Sequence, residues 1–440
     1  KSIVGTLIDS ETKESVSGAI VSIGDNKVYS DIDGKFSLPA VEGQNMMKVT
    51  YIGYKPMTID VTNERNLGIL EMKMDSKVLP DAIITSQLAV PRKTPVSVSN
   101  VLASQIEERL GNDEFVEALK YAPGVHPNRV GGSWADSEIF VRGFDNSNVA
   151  TLINGIPVND MENGTVYWSN WASLSEVTSV MQVQRGIGAT KLSAPSVGGT
   201  INIITKGLEA KKGGSVSQSF GNDGYQRTSF SLSTGQMDNG WAINVLGSCS
   251  HGDGYAQGTD FKVFNYFANI SKLFNANHEL SFTIFGAPQQ HYSRSNALTK
   301  ADWEMVRTKY SQDKDWRRYN PDYGFNSTGQ RKTADYNKYH MPFMTLKHLW
   351  KVNENSNLTT TVYAAFGSGG GYNGKANETT YSEYDWYGSD YGKLNMKFRA
   401  ADGTFDYSKI EAINKASDNG SELIMSRIRG KQNWYGLLST

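Results

Sequence analysis

The chain has 440 residues, more than one typical domain, and its 44 basic residues balance 45 acidic residues. This balance provides no excess of positive charge for a polyanion, so we predict that nucleic acid is not a partner. The single cysteine, Cys249, excludes an internal disulfide and a multi-cysteine metal site, and we expect it to be a small buried side chain.

Aromatic residues are frequent although the chain is polar overall: there are 22 Tyr, 17 Phe and 9 Trp, with a mean hydropathy of −0.45. No apolar run reaches the roughly 18 residues that a membrane-spanning helix needs. A closed β-barrel can cross a bilayer with only alternate residues facing lipid, and it collects aromatic residues at both interfaces. The composition therefore permits an outer-membrane barrel.

Residues 1–75 contain short β-prone runs separated by turn residues, a spacing that predicts a small β-sandwich. Within them, Asp31-Ile32-Asp33-Gly34 is similar to the start of a calcium loop. The third ligand before the Gly and the flanking helices of an EF-hand are missing, so we predict an Asx turn between two strands. The β-prone runs are Ile3–Asp9, Ala19–Ile23, Lys27–Ser30, Lys35–Leu38 and Met47–Tyr51.

Residues 76–96 have the composition of a linker, with three prolines around one β-prone stretch, Leu79–Ser86. This stretch has three interpretations from its residues alone. It is a tether, a last strand of the sandwich, or an extended segment that adds itself to the edge of a partner's sheet.

Residues 97–208 predict a small α+β domain. Apolar spacing predicts helices over 104–110 and 113–121, the second capped by Asn112 or Asp113. Four short strands follow, and Arg-Gly or Asn-Gly pairs supply the tight reversals that close three of them. The strands are Ile139–Val141, Thr151–Ile153, Val180–Val183 and Thr200–Thr205, and the turns are Arg142-Gly143, Asn154-Gly155 and Arg185-Gly186.

Residues 209–440 alternate apolar and polar side chains, as in Leu280, Phe282 and Ile284 around Ser281 and Thr283. This alternation predicts about eight antiparallel barrel strands with two long external loops, 290–338 and 367–430. An eight-stranded barrel is filled by its own side chains and leaves no room for the preceding α+β domain, so we expect a comparable length of barrel beyond Thr440. The strands are expected near 214–221, 225–235, 240–251, 260–273, 278–289, 339–351, 356–367 and 431–440.

Four motifs within residues 97–206 resemble, in order and spacing, the plug domain of TonB-dependent outer-membrane transporters. They are Phe140–Gly143, Leu152–Pro157, Val183–Gly186 and Gly198–Lys206. Residues 1–75 resemble the carboxypeptidase-regulatory-like extension that precedes many such transporters of Bacteroidetes. The matching pieces there are Ser17–Val21, Asp31–Phe36 and Tyr51–Tyr54.

The resemblance implies a mainly β fold class with an N-terminal β-sandwich (1–75), a linker (76–96), an α+β plug domain (97–208) and a transmembrane antiparallel β-barrel (209–440). About 22 barrel strands are expected, of which about the first eight are present. The resemblance also implies a cell outer-membrane location, with the N-terminal domain in the periplasm and membrane lipid around the barrel.

The family carries a TonB box just before its plug, often an acidic residue followed by small and β-branched residues. The matching positions here are Asp81, Ala82, Ile83, Ile84 and Thr85. The resemblance therefore implies TonB, with its inner-membrane energising complex, as a partner. A surface lipoprotein is a second candidate partner.

Two polar loops of the plug, 128–136 and 159–171, match the apices that touch substrate in the family. Their aromatic rings have flat apolar faces suited to a ligand, but they are equally suited to packing the plug on the barrel, an alternative that applies above all to Trp168 and Trp171. The candidate substrate-binding residues are Trp134, Asp136, Asn159, Asp160, Tyr167 and Trp168.

A further set of plug residues is expected to be structural. The resemblance implies that Arg142 and Arg185 brace the plug through buried ion pairs with the barrel wall, with Glu138, Asp145 or Glu176 as contributors. A structural role inside the plug is the interpretation that we favour. The structural set is Arg142, Gly143, Asn154, Gly155, Arg185, Gly186, Gly198 and Gly199.

Enzymatic chemistry finds no support in the sequence. The run Gly369–Lys375 imitates a phosphate-binding loop, but Ala376 stands where Ser or Thr must hold magnesium. The six histidines are scattered and lack metalloprotease spacing. We therefore predict no catalytic residue, no metal site and no cofactor.

The predicted function is TonB-driven import of a nutrient across the outer membrane, with the plug as the gate. Iron chelates, haem, cobalamin, glycans and peptides all remain candidate substrates. The alternative is a plugged barrel that serves as a platform for surface lipoproteins or for an assembly or secretion complex.

Overall fold

A computed structural model describes residues 2–73 and 97–440, apart from residues 11, 12, 14, 17, 18, 32, 42, 52, 53, 63, 64, 133, 135, 136, 187–195, 209, 211, 276, 295, 296, 311–314, 354, 355, 391 and 419. The chain divides into two compact units, Lys1–Ile84 and Thr85–Thr440. Each unit has its own buried core.

The first unit consists of two sheets around one core, as the spacing of its β runs predicts. One sheet has three strands and the other four. Alternate residues of these strands are buried, among them Leu7, Val21, Leu38 and Met47. The strands are Ser2–Asp9, Ile20–Ile23, Asn26–Tyr29, Lys35–Pro39, Met46–Thr50, Met57–Asp60 and Asn66–Met72.

The predicted Asx turn is present at Asp31. Its Oδ1 atom accepts hydrogen bonds from the backbone N–H groups of Asp33 (3.0 Å) and Lys35 (2.8 Å), and Gly34 has a φ of +75°. The carboxylate is thus used to close a turn between two strands. Among the described residues, no cluster of His, Cys, Asp or Glu has the arrangement of a metal site.

The second unit begins with the plug, whose centre is a five-stranded sheet. The strand Gly199–Thr205 is buried along its whole length, because Val149–Ile153 pairs with it in parallel and Thr178–Arg185 in antiparallel. Ser97–Leu102 forms one edge of this sheet. The remaining plug elements are the strands Val125–Arg129, Ser137–Val141 and Ile156–Pro157, the helices Ala103–Leu110 and Leu174–Val177, and the 3-10 turns Phe115–Tyr121, Val130–Gly132, Asn146–Asn148 and Trp168–Trp171.

Two of the plug's reversals use a pair of residues at positive φ. Arg142 and Gly143 have φ values of 53° and 84°, and Asn154 precedes Gly155 in the same way. This is the backbone of a type I′ turn, which matches the twist of the strands it joins. Asn154 also fixes the neighbouring strand, since its Oδ1 accepts from the N–H of Thr205 at 3.0 Å.

After the plug, eleven strand segments of the described residues form one antiparallel sheet, the wall. Three pairs of these segments are successive parts of one strand, so the wall has eight strands, the number predicted from alternation. Two strands are interrupted where Pro288 and Pro342 supply no N–H to the ladder. The carbonyl groups of these prolines still accept, from Phe264 and Phe366 respectively. The wall strands are, in order, Gly213–Phe220; Gln226–Ser233; Trp241–Gly252; Phe261–Asn275; His278–Gly286 with Gln289–Tyr292; Tyr336–His340 with Phe343–Asn353; Ser356–Ala376; and Leu423–Arg427 with Gly430–Ser439.

The two faces of the wall differ in chemistry. The inner face carries buried polar side chains bonded to one another, such as Asn269 with Ser281 and Thr283. The outer face exposes a band of large apolar side chains, which is the surface that lipid covers in an outer-membrane barrel. Cys249 lies on this outer face and is exposed, so the expectation of a buried thiol is wrong. The exposed apolar residues include Ile243, Ile270, Phe282, Leu346, Val362 and Leu437.

The two long loops at one end of the wall are folded. They share a three-stranded sheet and a buried cluster of Val306, Tyr319 and Leu394. The second loop has a core of its own, which includes Phe398, Phe405, Tyr407 and Ile410. Within the residues that the structure describes, none of the helices has the length and hydrophobicity needed to cross a membrane. The loop elements are the strands Tyr323–Phe325, Arg331–Thr333, Ser389–Asp390, Lys393–Leu394 and Phe405–Asp406, the helices Lys300–Met305, Val306–Tyr310 and Tyr407–Ala416, and the 3-10 turns Trp316–Arg318 and Glu383–Trp386.

Tyr54 gives the first unit a testable pH response. Its hydroxyl donates to Asp9 Oδ2 at 2.7 Å, and burial, followed by the neighbouring carboxylate, raises the pKa of Tyr54 above the ordinary tyrosine value of 10.0. The folded unit therefore holds this proton more tightly than the unfolded chain, so its contribution to stability is complete below pH 10 and is lost as the pH rises further. Urea unfolding of residues 1–84 is expected to show a steeper loss of stability above pH 10 than the same unit with Tyr54→Phe; equal slopes would contradict this assignment.

Candidate functional site

The plug is seated against the wall partly through buried aromatic rings. Trp171, only 2% exposed, meets Phe343 edge-on at 5.7 Å between ring centroids and Phe285 at 6.1 Å. Trp168 is 5% exposed, and its ring lies 6.2 Å from that of Phe115 inside the plug. Both rings are therefore used in packing, and the structure places Trp168 away from the surface that a ligand would meet first.

Trp134 joins the Gly-rich plug loop to the wall. Its ring stacks on Phe261 with 5.0 Å between centroids and an interplanar angle of 4°, and it stands edge-on to His291 at 5.8 Å. The ring remains partly exposed. Asp136, which the sequence analysis placed in the same loop, lies outside the described residues.

Asn159 and Asp160 hold the second apical loop in place. The Asn159 side chain accepts from the N–H of Thr151 at 2.8 Å and donates to the carbonyl of Gly164 at 2.8 Å. Asp160 accepts from the N–H of Glu162 at 2.9 Å through Oδ1, and from Gln432 Nε2 of the wall at 2.7 Å through Oδ2. Their polar atoms shape the loop and bind it to the wall.

The apolar surface at the tip of this loop comes from two side chains. Tyr167 is 51% exposed, with its hydroxyl accepting from Asn163 Nδ2 at 2.7 Å, and Met161 is 76% exposed. Sequence analysis missed Met161, although a lone apolar residue inside the polar run Asn159–Thr165 was a usable signal. Both side chains therefore expose apolar surface on this loop.

A buried ion pair links the plug to the wall. Arg227 of the second wall strand lies 2.5 Å from Glu176 of the plug, and Ser248 Oγ donates to the same carboxylate oxygen at 2.6 Å. Both charged side chains are largely shielded from solvent. Glu176 was among the expected contributors, but Arg227 was missed, because its 51-residue separation from Glu176 leaves no pattern in the sequence.

Arg142 and Arg185 do not follow the expectation of ion pairs with the wall in the part of the chain that the structure describes. Arg185 is paired opposite Ser97 in the plug sheet, so its guanidinium donates to the hydroxyls of Ser97 and Ser99, each at 2.7 Å, and to the carbonyl of Pro123. The N–H of Arg142 donates to the carbonyl of Gly124 at 2.7 Å. Register within the plug therefore determines what these two arginines bind.

The glycines of the last motif are required by close backbone approach. A Cβ atom at Gly199, which has a φ of +135°, would lie 2.2 Å from the carbonyl oxygen of Gln184, and one at Gly198 would lie 2.8 Å from Cβ of Phe144. Gly186 has a φ of +81° where the chain leaves the strand. These positions keep the central strands together.

A small polar cavity of about 50 Å³ lies between plug and wall, beside Trp168, Tyr225 and Arg227. Its volume suits one or two water molecules. Trp168 Nε1 is buried there without a hydrogen-bond partner among the described residues. The contact region between plug and wall, called the seam below, is thus tightly packed and partly polar.

The TonB-box positions Asp81–Thr85 lie outside the described residues.

The ion pair between Glu176 and Arg227 is expected to stabilise the plug in its position against the wall. Glu176→Gln keeps the shape but leaves the Arg227 charge without a compensating carboxylate, which costs about 3 kcal/mol for a buried pair. We expect plug cleavage by protease, in the detergent-solubilised protein, to require less denaturant than in the parent. Glu138→Gln, which removes an exposed plug carboxylate, is the control. Equal sensitivity of both variants would contradict a seating role.

Comparison with known proteins agrees with this architecture. The family described as TonB-dependent Receptor Plug Domain matches residues 90–200, and the CarboxypepD_reg-like domain family matches residues 3–83. The vitamin B12 transporter BtuB of Vibrio vulnificus is 24% identical over 200 residues, covering 44% of this chain and 32% of that protein.

A solved outer-membrane receptor shares the fold. The closed form of the ferric-catecholate import receptor Fiu from E. coli superposes with a TM-score of 0.51 at 15% identity, covering 77% of this chain and 42% of Fiu. The siderophore receptor PiuA from Acinetobacter baumannii has a TM-score of 0.47 at 20% identity, over 68% of this chain and 41% of PiuA. This chain thus spans between a third and a half of the length of these relatives. Residues 90–200 thus match the plug domain of TonB-dependent receptors and residues 3–83 match a carboxypeptidase-regulatory-like domain, and the strands that follow are similar to those of outer-membrane receptor barrels.

Proposed function

We propose that this protein imports a nutrient across the outer membrane and that TonB opens it by pulling on Asp81–Thr85. The observation that carries this proposal is that the plug sheet and the wall sheet share no strand pairing in the described part of the chain. Their polar contacts are made by side chains, such as Glu176 with Arg227 and Asp160 with Gln432. A pull can therefore move the plug while the hydrogen bonds between the wall strands stay intact.

The direction of the pull points to the part of the plug that moves first. Ser97–Leu102 follows the TonB-box positions along the chain and forms the edge of the plug sheet, where its one partner strand among the described residues is Thr178–Arg185. Tension applied at the start of an edge strand breaks its hydrogen bonds one after another instead of all together. Ser97 is the first residue of that strand, and Arg185 is bonded to its hydroxyl. We propose that Arg185 holds the gate closed until TonB pulls.

The nutrient would meet the plug at its apical loops. Met161 and Tyr167 expose apolar surface there, and Trp134 supplies a partly exposed ring beside the wall. BtuB is named a vitamin B12 transporter and Fiu a ferric-catecholate import receptor. Vitamin B12 and iron chelates are therefore the first candidate nutrients, ahead of haem, glycans and peptides. A Bacteroidetes source stays a prediction from the N-terminal domain.

The folded external loops favour a second candidate, a platform for a surface lipoprotein. They carry their own sheet and core, so they offer a partner a preformed surface instead of a mobile one. In this alternative the plug stays in place and no TonB box is needed. The two proposals therefore differ in whether residues 79–86 are required.

Deletion of Leu79–Ser86 separates the two proposals. We expect normal abundance at the cell surface, because the deletion lies before the plug. We also expect complete loss of uptake of one nutrient when vitamin B12, iron chelates, haem, glycans and peptides are offered in turn. A matched deletion of eight residues from an external loop, Asn414–Ser421, controls for loss of chain length. Unchanged uptake of every nutrient, with surface lipoproteins still copurifying, would refute import in favour of the platform.

Arg185 has a separate test in hydrogen–deuterium exchange. Arg185→Met removes charge-assisted bonds to Ser97 and Ser99, so the amides of residues 97–102 should exchange about tenfold faster, as expected for the loss of about 1–2 kcal/mol. Arg317→Met, which removes an exposed guanidinium paired with Asp315 in a loop, should leave these amides unchanged. Exchange at the parent rate in both variants would contradict the latch.

A further inference from the structure

Four cations line one open cavity on the outer face of the wall, near its loop end. Lys262, Lys338, Arg427 and Arg429 border this cavity of about 700 Å³. All four are exposed, and within the described residues none of them makes an ion pair or a side-chain hydrogen bond. No acidic residue is among those that line it. The cavity therefore concentrates positive charge that the protein itself leaves uncompensated.

Strand register fixes the face on which these cations lie. Lys262 stands opposite Gln290, and Gln290 opposite Lys338, so the two lysines share one row across three strands. Phe261 immediately precedes Lys262 on the fourth wall strand and therefore faces the opposite side, where its ring stacks on Trp134 of the plug. The lysines therefore face away from the plug, into the surroundings of the barrel.

The height of the cavity matches one edge of a membrane. Lys262 and Lys272 lie on the same strand and face, and ten residues separate them, with Lys272 resting on Trp241 at 5.1 Å. Ten residues span roughly 33 Å of strand at about 3.3 Å each, or about 25 Å across the membrane after strand tilt. This is the height of the apolar band of an outer-membrane barrel. Lys262 thus lies at the outer headgroup level, directly above exposed Phe264.

Asp260 is the acidic residue nearest to Lys262 in the sequence on this face of the wall, and its charge is already compensated. Asp260 accepts a hydrogen bond from the Arg331 guanidinium of an external loop. The four cations are therefore not placed to pair with it. An uncharged sugar would cover the four cations without compensating their charge, whereas phosphate groups would compensate it, with arginine binding in a forked manner.

We propose that this cavity binds the phosphate groups of an anionic glycolipid of the outer leaflet. The four cations, two of them arginines, hold the phosphates, and the apolar band below Lys262 contacts the acyl chains. This lateral site is separate from the plug apices and does not depend on the imported nutrient. It fixes the barrel to its lipid shell at the level where the external loops begin.

Lipid binding can be measured directly on the detergent-purified protein. The probes are lipid A with two phosphates and the same lipid after enzymatic removal of both phosphates, titrated by native mass spectrometry. The test variant is Lys338→Gln with Arg427→Gln. The control variant is Lys300→Gln with Lys415→Gln, which removes the same charge from two exposed loop residues. Retained barrel mobility on unboiled gels confirms that both variants are folded.

We expect the test variant to bind bisphosphorylated lipid A at least about tenfold more weakly than the parent, since each cation near an anionic lipid contributes severalfold in affinity. The control variant should bind bisphosphorylated lipid A as tightly as the parent does. The parent and the test variant should bind the dephosphorylated lipid equally weakly. Equal binding of both lipids by the parent, or equal loss in both variants, would overturn the site. If inorganic phosphate displaced lipid A at the same concentration as the lipid, the cavity would be a site for free phosphate and the proposal of a lipid ligand would be refuted.

Discussion

Strand pairing stays within the plug and within the wall in the part of the chain that the structure describes, so the seam between them depends on side chains. A shared ladder would have made the plug another part of the barrel, with backbone hydrogen bonds to break along its whole edge. Side-chain contacts are fewer and can be re-formed after the plug returns. Under the proposed import function, the plug can therefore move while the wall keeps its own backbone hydrogen bonds.

The seam has to satisfy two opposing requirements. Under the proposed import function it keeps the outer membrane closed, which the packing of Trp171 on Phe285 and Phe343 serves, and it opens without destroying the protein. A buried ion pair such as Glu176 with Arg227 fixes the position of the plug on the wall but adds little net stability, because the cost of removing both charges from water offsets much of their attraction. Such a contact positions the plug firmly and still permits its displacement.

Sequence patterns predicted the elements better than the contacts between them. Alternation along the chain identified the wall strands, and Asn154-Gly155 identified a tight turn, since both depend on neighbouring residues. The expected burial of Cys249 was wrong because lipid covers the outer face of a barrel, so a small apolar residue there is exposed. Arg185 binds inside the plug, one of the two alternatives, but its partner Ser97 was not identified because it is set by the register that places Ser97 opposite. Arg227 was missed because its partner, Glu176, approaches only in the folded chain.

The central claim is that the plug leaves its seat while the wall stays whole, and single-molecule pulling tests it most directly. The protein would be held in a lipid bilayer and pulled from a handle attached at Asp81. We predict a stepwise extension that begins with Ser97–Leu102, proceeds through the plug and stops at the wall, with the plug contacts re-forming on relaxation. Extraction of wall strands together with the plug, in one event, would contradict the account.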